Sequence, residues 1–250
     1  MTADQAIVLA GGLATRLGER TVQIPKFLLP VAGRPFAAWL LDRLRACGFA
    51  DVVLCIGHLG DAIRELVGDG SPFGLRVRYS DDGEQLLGTG GALRQAVHLL
   101  APLSLVTYGD SFLPFDYASP LRDLERHPAA GGTLAVYRNE NRFDRSNVRV
   151  EGNRCTEYRK VPPTLPPDPT LRDIDYGAMA IRRDALLSLD HATPFALGKL
   201  QSALAEQGQL RALRVHERFY EVGSNEGLAA LEAELHAHPN RYLSSDRPPP

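Results

Sequence analysis

The sequence is poor in cysteine, in unbroken apolar runs and in excess charge of either sign, and each shortage excludes a class of protein. Its three cysteines, Cys47, Cys55 and Cys155, lack C-x-x-C spacing, so we expect reduced, mostly buried thiols and no zinc site. The longest nearly apolar stretch, 97–106, is far shorter than the ~20 residues of a spanning helix, so no membrane partner is expected. With 28 basic and 30 acidic side chains, the net charge of −2 gives no positive field for nucleic acid.

Several catalytic and targeting motifs are also missing. The chain has no G-x-G-x-x-G and no G-K-[ST], which weakens the dehydrogenase and P-loop interpretations. It has no H-E-x-x-H and no G-x-S-x-G, so neither a zinc protease nor a serine hydrolase is indicated. The start of the chain lacks the basic and long apolar regions of a signal peptide. We therefore expect a cytoplasmic protein.

Length and hydrophobic periodicity predict a layered α/β protein. At roughly 150 residues per domain, the chain can form one to two domains with a sizeable core. Apolar runs and helical stripes alternate over about residues 5–110, which is typical of βαβ units. Later strands follow too closely for a helix in each gap and indicate an antiparallel or mixed addition. The predicted strands are Ala6–Ala10, Val52–Ile56, Leu103–Val106, Thr133–Tyr137, Asn147–Val150, Cys155–Arg159, Asp175–Ile181 and Arg211–His216.

We expect a single domain over residues 1–240, closed by a helix at 224–238. Ser224 suits the N-cap of that helix, because its hydroxyl can accept hydrogen bonds from first-turn N–H groups. The segment Val161–Thr170 contains five prolines and predicts a loop, which can serve as a lid or a partner contact. Residues 241–250 are expected to form a flexible, proline-rich tail.

A glycine-rich turn follows the first predicted strand. Residues 9–18 read L-A-G-G-L-A-T-R-L-G, and 24–26 read I-P-K. Gly11 and Gly12 permit a sharp turn that exposes backbone N–H groups. Further donors and two positive charges come from Thr15, Arg16 and Lys26. Such a loop suits a triphosphate.

This pattern resembles the signature of the sugar-1-phosphate nucleotidyltransferases, L-A-G-G-x-G-T-R-L followed by P-K, with Ala14 in place of a glycine. The segments P-V-A-G-R-P-F at 30–36 and L-G-T-G-G-A at 87–92 are most similar to the mannose- and heptose-1-phosphate guanylyltransferase branch. The resemblance implies a three-layer, GT-A-like and Rossmann-like nucleotide-diphospho-sugar transferase fold with a mixed, mostly parallel central sheet. It also implies a nucleotide-binding half at 1–110 and a sugar-phosphate-binding half at 111–223.

The same resemblance implies roles for individual residues. The catalytic residues would be Arg16 and Lys26. The nucleotide-binding residues would be Leu9, Ala10, Gly11, Gly12, Thr15, Arg16, Glu84, Gln85, Gly88 and Thr89. The sugar-phosphate-binding residues would be Tyr108, Asn147, Arg159, Lys160, Asp175 and Gly177. Lys160 matches the lysine of the family's E-K-P, whereas Arg159 replaces its glutamate. That replacement permits a second anionic group or an altered hydroxyl pattern in the sugar.

Two carboxylates are candidate ligands of Mg²⁺, the expected cofactor. Asp110 follows Gly109 at the carboxyl end of a predicted strand, which is where open α/β sheets bind ligands. The resemblance adds Glu221, which stands in F-Y-E-V-G-S where the family has F-x-D-x-G-[ST]. The longer glutamate side chain can still reach an octahedral Mg²⁺.

The predicted activity converts a nucleoside triphosphate and a sugar 1-phosphate into a nucleotide sugar and pyrophosphate. The leading interpretation is GTP with a mannose- or heptose-type 1-phosphate. Alternatives are uridylyl or cytidylyl transfer to another sugar or polyol phosphate, a cofactor-pathway nucleotidyltransferase, and a catalytically silent sugar-nucleotide-binding regulatory protein. The partners are these small molecules, and a homo-oligomer is left open.

Overall fold

The computed structural model describes residues 5–12, 24–83, 87–188, 193–238 and 241–242. Its helices are α1 (Phe36–Ala46), α2 (Gly60–Val67), α3 (Gly88–Gln95), α4 (Ser119–Glu125), α5 (Arg183–Leu187), α6 (Leu197–Glu206) and α7 (Asn225–Ala237). Short 3₁₀ helices occupy Lys26–Leu28, Ser71–Phe73 and Ala96–Leu99.

The strands are β1 (Gln5–Leu9), β2 (Pro30–Val31), β3 (Arg34–Pro35), β4 (Asp51–Ile56), β5 (Arg76–Asp81), β6 (Leu103–Tyr108), β7 (Ser111–Phe112), β8 (Gly132–Arg138), β9 (Val148–Glu151), β10 (Arg154–Tyr158), β11 (Asp173–Arg182), β12 (Leu210–Val215) and β13 (Tyr220–Glu221). Every strand predicted from the sequence is present, with ends shifted by at most two residues. β5 was not predicted, because its alternation of arginine with smaller residues suits an edge strand and contains no apolar run.

Among the described strands, nine form one mixed sheet in the order β5-β4-β1-β6-β11-β8-β12-β10-β9. β5, β4, β1 and β6 are mutually parallel. β11 runs antiparallel to both β6 and β8, whereas β12 is parallel to β8. The expected α/β fold with a mixed sheet is therefore confirmed.

Helices pack on both faces of this sheet, because side chains alternate along each buried strand. On β1, Ala6 and Val8 face a core that also contains residues of α1, α2, α4 and α7. Ile7 and Leu9 face a second core built with α3, α5 and α6. Because β5, β4, β1 and β6 are parallel, they end at the same edge of the sheet.

Two contacts anchor the part of the structure that follows β13 among the described residues. Ser224 caps α7 as predicted, accepting a hydrogen bond from the Gly227 N–H at 3.0 Å. Tyr242, at the start of the predicted tail, is buried, donates its hydroxyl to Glu234 and packs edge-on against Phe112. The 161–170 segment contains no helix or strand, as expected. No described helix has the length and apolar character needed to cross a bilayer.

Candidate functional site

The ends of β1 and β6 approach each other so closely that glycine is required after β6. Gly109 donates its N–H to the Leu9 carbonyl at 2.9 Å. A Cβ at Gly109 would lie 3.0 Å from the Ala10 Cα, too close for an ordinary contact. This contact brings the glycine-rich turn beside Asp110.

A cavity of about 280 Å³ opens at this edge of the sheet. The structure brings together here many residues for which the sequence predicts nucleotide, catalytic or metal roles: Leu9, Ala10, Gly11, Gly12, Lys26, Gly88, Thr89 and Asp110. Phe27, Cys55, Asp82 and Ala92 complete the described lining together with Tyr108 and Gly109. Thr15, Arg16, Glu84 and Gln85 lie outside the described residues, so their predicted roles stay predictions.

Lys26 faces Asp110 across this cavity. Its Nζ lies 3.3 Å from Asp110 Oδ2, and the lysine side chain is only 12% exposed. Pro25 precedes Lys26 with a φ of −63°, and Lys26 begins a short 3₁₀ helix. The cation is thereby fixed beside the carboxylate.

Asp110 and Glu221 are brought together by a small antiparallel pair of strands, β7 and β13. Glu221 lies opposite Ser111, and the Val222 N–H donates to the Asp110 carbonyl at 2.9 Å. The backbones of the two residues are thus neighbours across a sheet ladder. Because Glu221 lies opposite Ser111 and Val222 lies opposite Asp110, the two side chains leave opposite faces of that ladder. No cluster of three or more His, Cys, Asp or Glu side chains suited to a metal occurs among the described residues.

A second cavity of about 440 Å³ adjoins the first, since Tyr108 lines both. Five other predicted residues line it: Asn147, Lys160, Asp175, Gly177 and Glu221. Burial, with the negative charges of Asp175 and Asp110, raises the pKa of Tyr108 far above its ordinary value. The Tyr108 hydroxyl therefore stays protonated between the two cavities.

Asp175 is held by several hydrogen bonds in the wall of the second cavity. Its Oδ2 accepts from the Tyr158 hydroxyl at 3.1 Å and the Gln201 amide at 2.8 Å. Its Oδ1 accepts from the Gly177 N–H at 2.9 Å, which is possible because Gly177 adopts a φ of +99° at an irregularity in β11. Burial raises the pKa of Asp175, and these hydrogen bonds and the Lys160 charge oppose the rise.

Two predicted residues make contacts within the protein that the sequence did not indicate. The Arg159 guanidinium pairs with Asp168 at 2.6 Å and Glu157 at 3.0 Å, and it does not line the second cavity. The Thr89 hydroxyl accepts from the Leu197 N–H at 2.8 Å, which caps α6. At the start of α3, the amides of Gly90 and Gly91 donate to the Phe195 carbonyl and are not available to a phosphate.

Sequence reasoning missed Asp82 in the first cavity and Arg145 at the second. Asp82 follows β5, the edge strand that carries no apolar run. Arg145 donates to the carbonyls of Leu165 and Pro163 and so fastens the proline segment at the cavity rim. No motif in the sequence indicated this contact.

Comparisons with known proteins show which proteins this chain is similar to. A family model described as the MobA-like NTP transferase domain matches residues 6–221. The chain is 35% identical over 125 residues to an N-acetylmuramate α-1-phosphate uridylyltransferase of Neisseria meningitidis, covering 50% of this chain and 54% of that protein. It is 34% identical over 112 residues to a D-glycero-α-D-manno-heptose 1-phosphate guanylyltransferase of Campylobacter jejuni, covering 45% and 50%.

These matches confirm the predicted resemblance, and the aligned part spans about half the length of these curated relatives. Among solved structures, HddC from Yersinia pseudotuberculosis complexed with GMP-PN superposes with a TM-score of 0.75 at 20% identity. That match covers 93% of this chain and 99% of HddC, and at this identity it shows the fold alone.

Proposed function

Because the chain belongs to the MobA-like NTP transferase domain family, we propose that it transfers a nucleotidyl group from a nucleoside triphosphate to a sugar 1-phosphate. The observation that carries the proposal is the pair of adjoining cavities on either side of Tyr108. One holds the Gly11–Gly12 turn with Lys26 and Asp110, and the other holds Lys160. Two anionic substrates can therefore meet at Tyr108.

The reaction suited to this arrangement is an in-line displacement at the α-phosphorus. A phosphate oxygen of the sugar 1-phosphate forms the new O–P bond, and the bond between the α-phosphorus and the bridging oxygen breaks to release pyrophosphate. The attacking oxygen is already negatively charged, so no general base is needed. The protein must align two polyanions and neutralise the charge that develops. Arg16 and Lys26 supply positive charge on the triphosphate side.

The chemistry of two carboxylates suits a magnesium ion. Asp110 offers hard carboxylate oxygens in the first cavity and Glu221 in the second, and Mg²⁺ commonly takes one or two carboxylates with substrate phosphates completing its shell. When bound there, the ion would supply charge neutralisation to the phosphates. In the free protein, Lys26 Nζ lies near the Asp110 carboxylate.

On the sugar side, Lys160 is proposed to bind the phosphate of the sugar 1-phosphate. Its positive charge lies close enough to Asp175 to oppose the rise that burial causes in the pKa of that carboxyl. Asn147 accepts the Asp175 N–H at its Oδ1 at 2.8 Å, so its amide NH₂ can face a sugar hydroxyl. The cavity thus combines a phosphate cation with hydroxyl partners.

The finer assignment is guanylyl transfer from GTP to a mannose- or heptose-type 1-phosphate, with Mg²⁺. The Campylobacter relative supports it, and the Neisseria relative makes uridylyl transfer the competing assignment. We also propose that the fold has the three-layer GT-A-like arrangement and that the protein is cytoplasmic.

Pyrophosphate release tests the activity. The purified chain is incubated with Mg²⁺, each of GTP, UTP, CTP, dTTP and ATP, and mannose, heptose, glucose or N-acetylmuramate 1-phosphate. We expect pyrophosphate and a nucleotide sugar in equal amounts with one base strongly preferred. Nucleotide binding without pyrophosphate from any pair would overturn the proposal and support a silent sugar-nucleotide-binding protein.

A further inference from the structure

One wall of the second cavity contains β7 and β13, which form a ladder of only two residues in each strand. Ser111 and Glu221 lie opposite each other in this ladder, and both side chains line the cavity. Phe112 and Tyr220 form the other pair, and because side chains alternate along a strand, they leave the opposite face. Two short strands are marginally stable by themselves, so this wall depends on what packs against that opposite face.

The Glu234 carboxylate of α7 binds the opposite face of the ladder. Its Oε2 accepts a hydrogen bond from the Tyr220 hydroxyl at 3.0 Å, and its Oε1 accepts one from the Tyr242 hydroxyl. Arg241 Nη1 lies 3.6 Å from Oε1, and the Glu234 side chain is mostly buried. Hydrogen bonds to a charged carboxylate are stronger than those between neutral groups. Glu234 therefore connects β13 firmly to the segment that follows α7.

Tyr242 supports the other strand of the ladder. Its side chain is buried, and its ring meets the Phe112 ring edge-on, with centroids 5.1 Å apart and an interplanar angle of 87°. Edge-to-face packing is a favourable geometry for two aromatic rings. Tyr242 therefore contacts β7 with its ring and reaches β13 through Glu234.

Helix α7 also begins against the ladder. Its first turn contains Gly227, where an added Cβ would collide with the Glu221 carbonyl oxygen. The helix therefore lies directly against the Glu221 backbone at its start and holds the adjacent Tyr220 through Glu234 farther along. Because α7 makes both contacts, a displacement of the helix would displace Glu221 in the cavity.

This network reaches the second cavity only through the ladder. Tyr220, Glu234 and Tyr242 are not among the described residues that line either cavity. The first cavity has a separate support in the main sheet, where the Gly109 N–H donates to the Leu9 carbonyl at 2.9 Å. Loss of the network should therefore loosen the second cavity and leave the first intact.

We propose that Glu234 is a positioning residue that acts with Tyr220 and Tyr242. The three side chains hold the ladder so that Ser111 and Glu221 have the geometry that binds the sugar 1-phosphate. This inference rests on the proposed nucleotidyl transfer. A displacement of about 1 Å in a substrate-positioning group can lower a rate by up to about 100-fold, so contacts behind the wall affect the reaction without touching the substrate.

The test compares Glu234→Ala with Glu232→Ala. Glu232 is a matched control because it lies on the same helix and its Oε1 accepts the Ala32 N–H between β2 and β3 at 3.3 Å. KM values are measured with the nucleotide and the sugar 1-phosphate that release pyrophosphate fastest. We expect Glu234→Ala to raise KM for the sugar 1-phosphate about 10-fold and KM for the nucleotide less than about twofold. Glu232→Ala should change neither value.

Amide hydrogen exchange measures the ladder without any substrate. The Val222 N–H donates to the Asp110 carbonyl next to the ladder, so its exchange rate reports local opening there. We expect this amide to exchange about 10-fold faster in Glu234→Ala than in Glu232→Ala. The Gly109 amide, which belongs to the main sheet, should exchange at the same rate in both variants.

Conservative variants separate positioning from a general loss of stability. Glu234→Gln keeps one oxygen acceptor and adds an NH₂ group that a phenol oxygen can accept, so it should restore part of the lost sugar 1-phosphate KM. Tyr220→Phe and Tyr242→Phe keep their rings and lose only the bonds to Glu234. Added to Glu234→Ala, neither change should raise KM further, because the bonds that they remove are already absent.

Several results would overturn the inference while leaving nucleotidyl transfer intact. They are an unchanged sugar 1-phosphate KM in Glu234→Ala, an equal rise in both KM values, and an unchanged exchange rate of the Val222 amide. Full additivity of Tyr220→Phe with Glu234→Ala would also overturn it.

Failure of the proposed function has a different signature. If no pair of substrates yields pyrophosphate, each sugar 1-phosphate of the panel is titrated calorimetrically into wild type and Glu234→Ala. Weaker binding by the variant, with faster Val222 exchange, would support a positioned sugar-phosphate site in a non-catalytic protein. Equal binding by both proteins, or no binding by the wild type, would overturn the inference as well.

Discussion

Lys26 Nζ and Asp110 Oδ2 lie 3.3 Å apart. This ion pair connects the segment after the glycine-rich turn, which carries Lys26, to the segment after β6, which carries Asp110. The lysine side chain is largely buried and the aspartate side chain is about one-third exposed, at 12% and 36%. An anionic substrate that enters the first cavity competes with Asp110 for Lys26. An incoming metal ion would likewise compete with Lys26 for Asp110.

The first prediction concerns Asp110→Asn. The amide removes the negative charge that suits Mg²⁺, so we expect Mg²⁺-dependent turnover to fall about 100-fold while the protein remains folded. Steady-state rates over a range of Mg²⁺ concentrations and circular dichroism check this. Near wild-type turnover in the variant would remove Asp110 from the proposed metal site.

Lys26→Met is the complementary change on the other side of the ion pair and belongs to the first prediction. It removes the cation on the triphosphate side, and we expect kcat to fall while unfolding free energy changes by no more than about 1 kcal/mol, as for a partly exposed ion pair. Chemical denaturation and kinetics on the same preparation separate the two effects. A large loss of unfolding free energy with an unchanged kcat would mean that the Lys26–Asp110 ion pair stabilises the fold and does not act in catalysis.

The second prediction concerns the close approach of β1 and β6. A methyl group in Gly109→Ala would lie 3.0 Å from the Ala10 Cα and 3.1 Å from the Leu9 carbonyl oxygen. We expect a loss of about 1–3 kcal/mol in unfolding free energy, because neither backbone can move aside without disturbing the sheet. In the control Gly57→Ala, the closest atom to the new methyl group would be at 3.4 Å, an ordinary contact. Equal stability of the two variants in urea titrations would contradict the packing argument.

The third prediction separates a structural from a nucleotide role for Thr89. Its hydroxyl accepts the Leu197 N–H, so Thr89→Val should destabilise the protein by about 1 kcal/mol, while Thr89→Ser retains the acceptor. Thermal unfolding of both variants measures this. If Thr89→Val were as stable as Thr89→Ser but bound nucleotide less tightly than it, the hydroxyl would act on the ligand and not on α6.

The buried half of the sheet could be predicted from sequence, whereas its edge could not. β1 and β4 are buried on both faces and read as continuous apolar runs. β5 exposes its first and last residues, Arg76 and Asp81, and carries a second arginine, so its side chains give no such run. Asp82 was missed for the same reason, because its importance depends on the strand that precedes it.

The position of a site residue could be predicted where a local sequence motif contains it. It could not be predicted where a contact with a residue outside the motif determines what the side chain binds. The glycine-rich turn and Lys26 carry a local signature, and the structure places them on one cavity. Thr89 belongs to a motif of the same kind, but its hydroxyl is occupied by a residue 108 positions away. Arg159 and Lys160 are adjacent in sequence, yet Arg159 forms an ion pair with Asp168 whereas Lys160 lines the second cavity.

The fourth prediction follows from the pKa of Asp82, about 6 against an ordinary value of 3.8. The folded protein binds this proton more tightly than the unfolded chain does, so the contribution of Asp82 to stability rises as the pH falls from above 6 toward 4. The nearby titratable groups are Asp81 and the Cys55 thiol, whose pKa of about 12 keeps it neutral throughout. Asp82→Asn should therefore be more stable than the wild type at pH 8, and the difference should shrink by pH 5.

Melting temperatures of the wild type and Asp82→Asn at pH 5, 6, 7 and 8 measure this difference, with Asp81→Asn as the control. A variant less stable than the wild type at pH 8 would mean that the Asp82 carboxylate has a stabilising partner in the free protein. The stability difference between the two proteins would then report that contact and not an unpaired carboxylate.

The fifth prediction concerns Arg145, whose guanidinium donates to the carbonyls of Leu165 and Pro163 at the rim of the second cavity. Lysine keeps the charge but cannot present two donors in fixed fork geometry, so Arg145→Lys and Arg145→Ala should both release the proline segment. Since Pro162 and Pro163 line that cavity, we expect KM for the sugar 1-phosphate to rise about 10-fold and KM for the nucleotide to stay constant. If Arg145→Lys retained the wild-type KM and only Arg145→Ala raised it, the positive charge of Arg145 would act on the substrate directly and the carbonyl contacts would not matter.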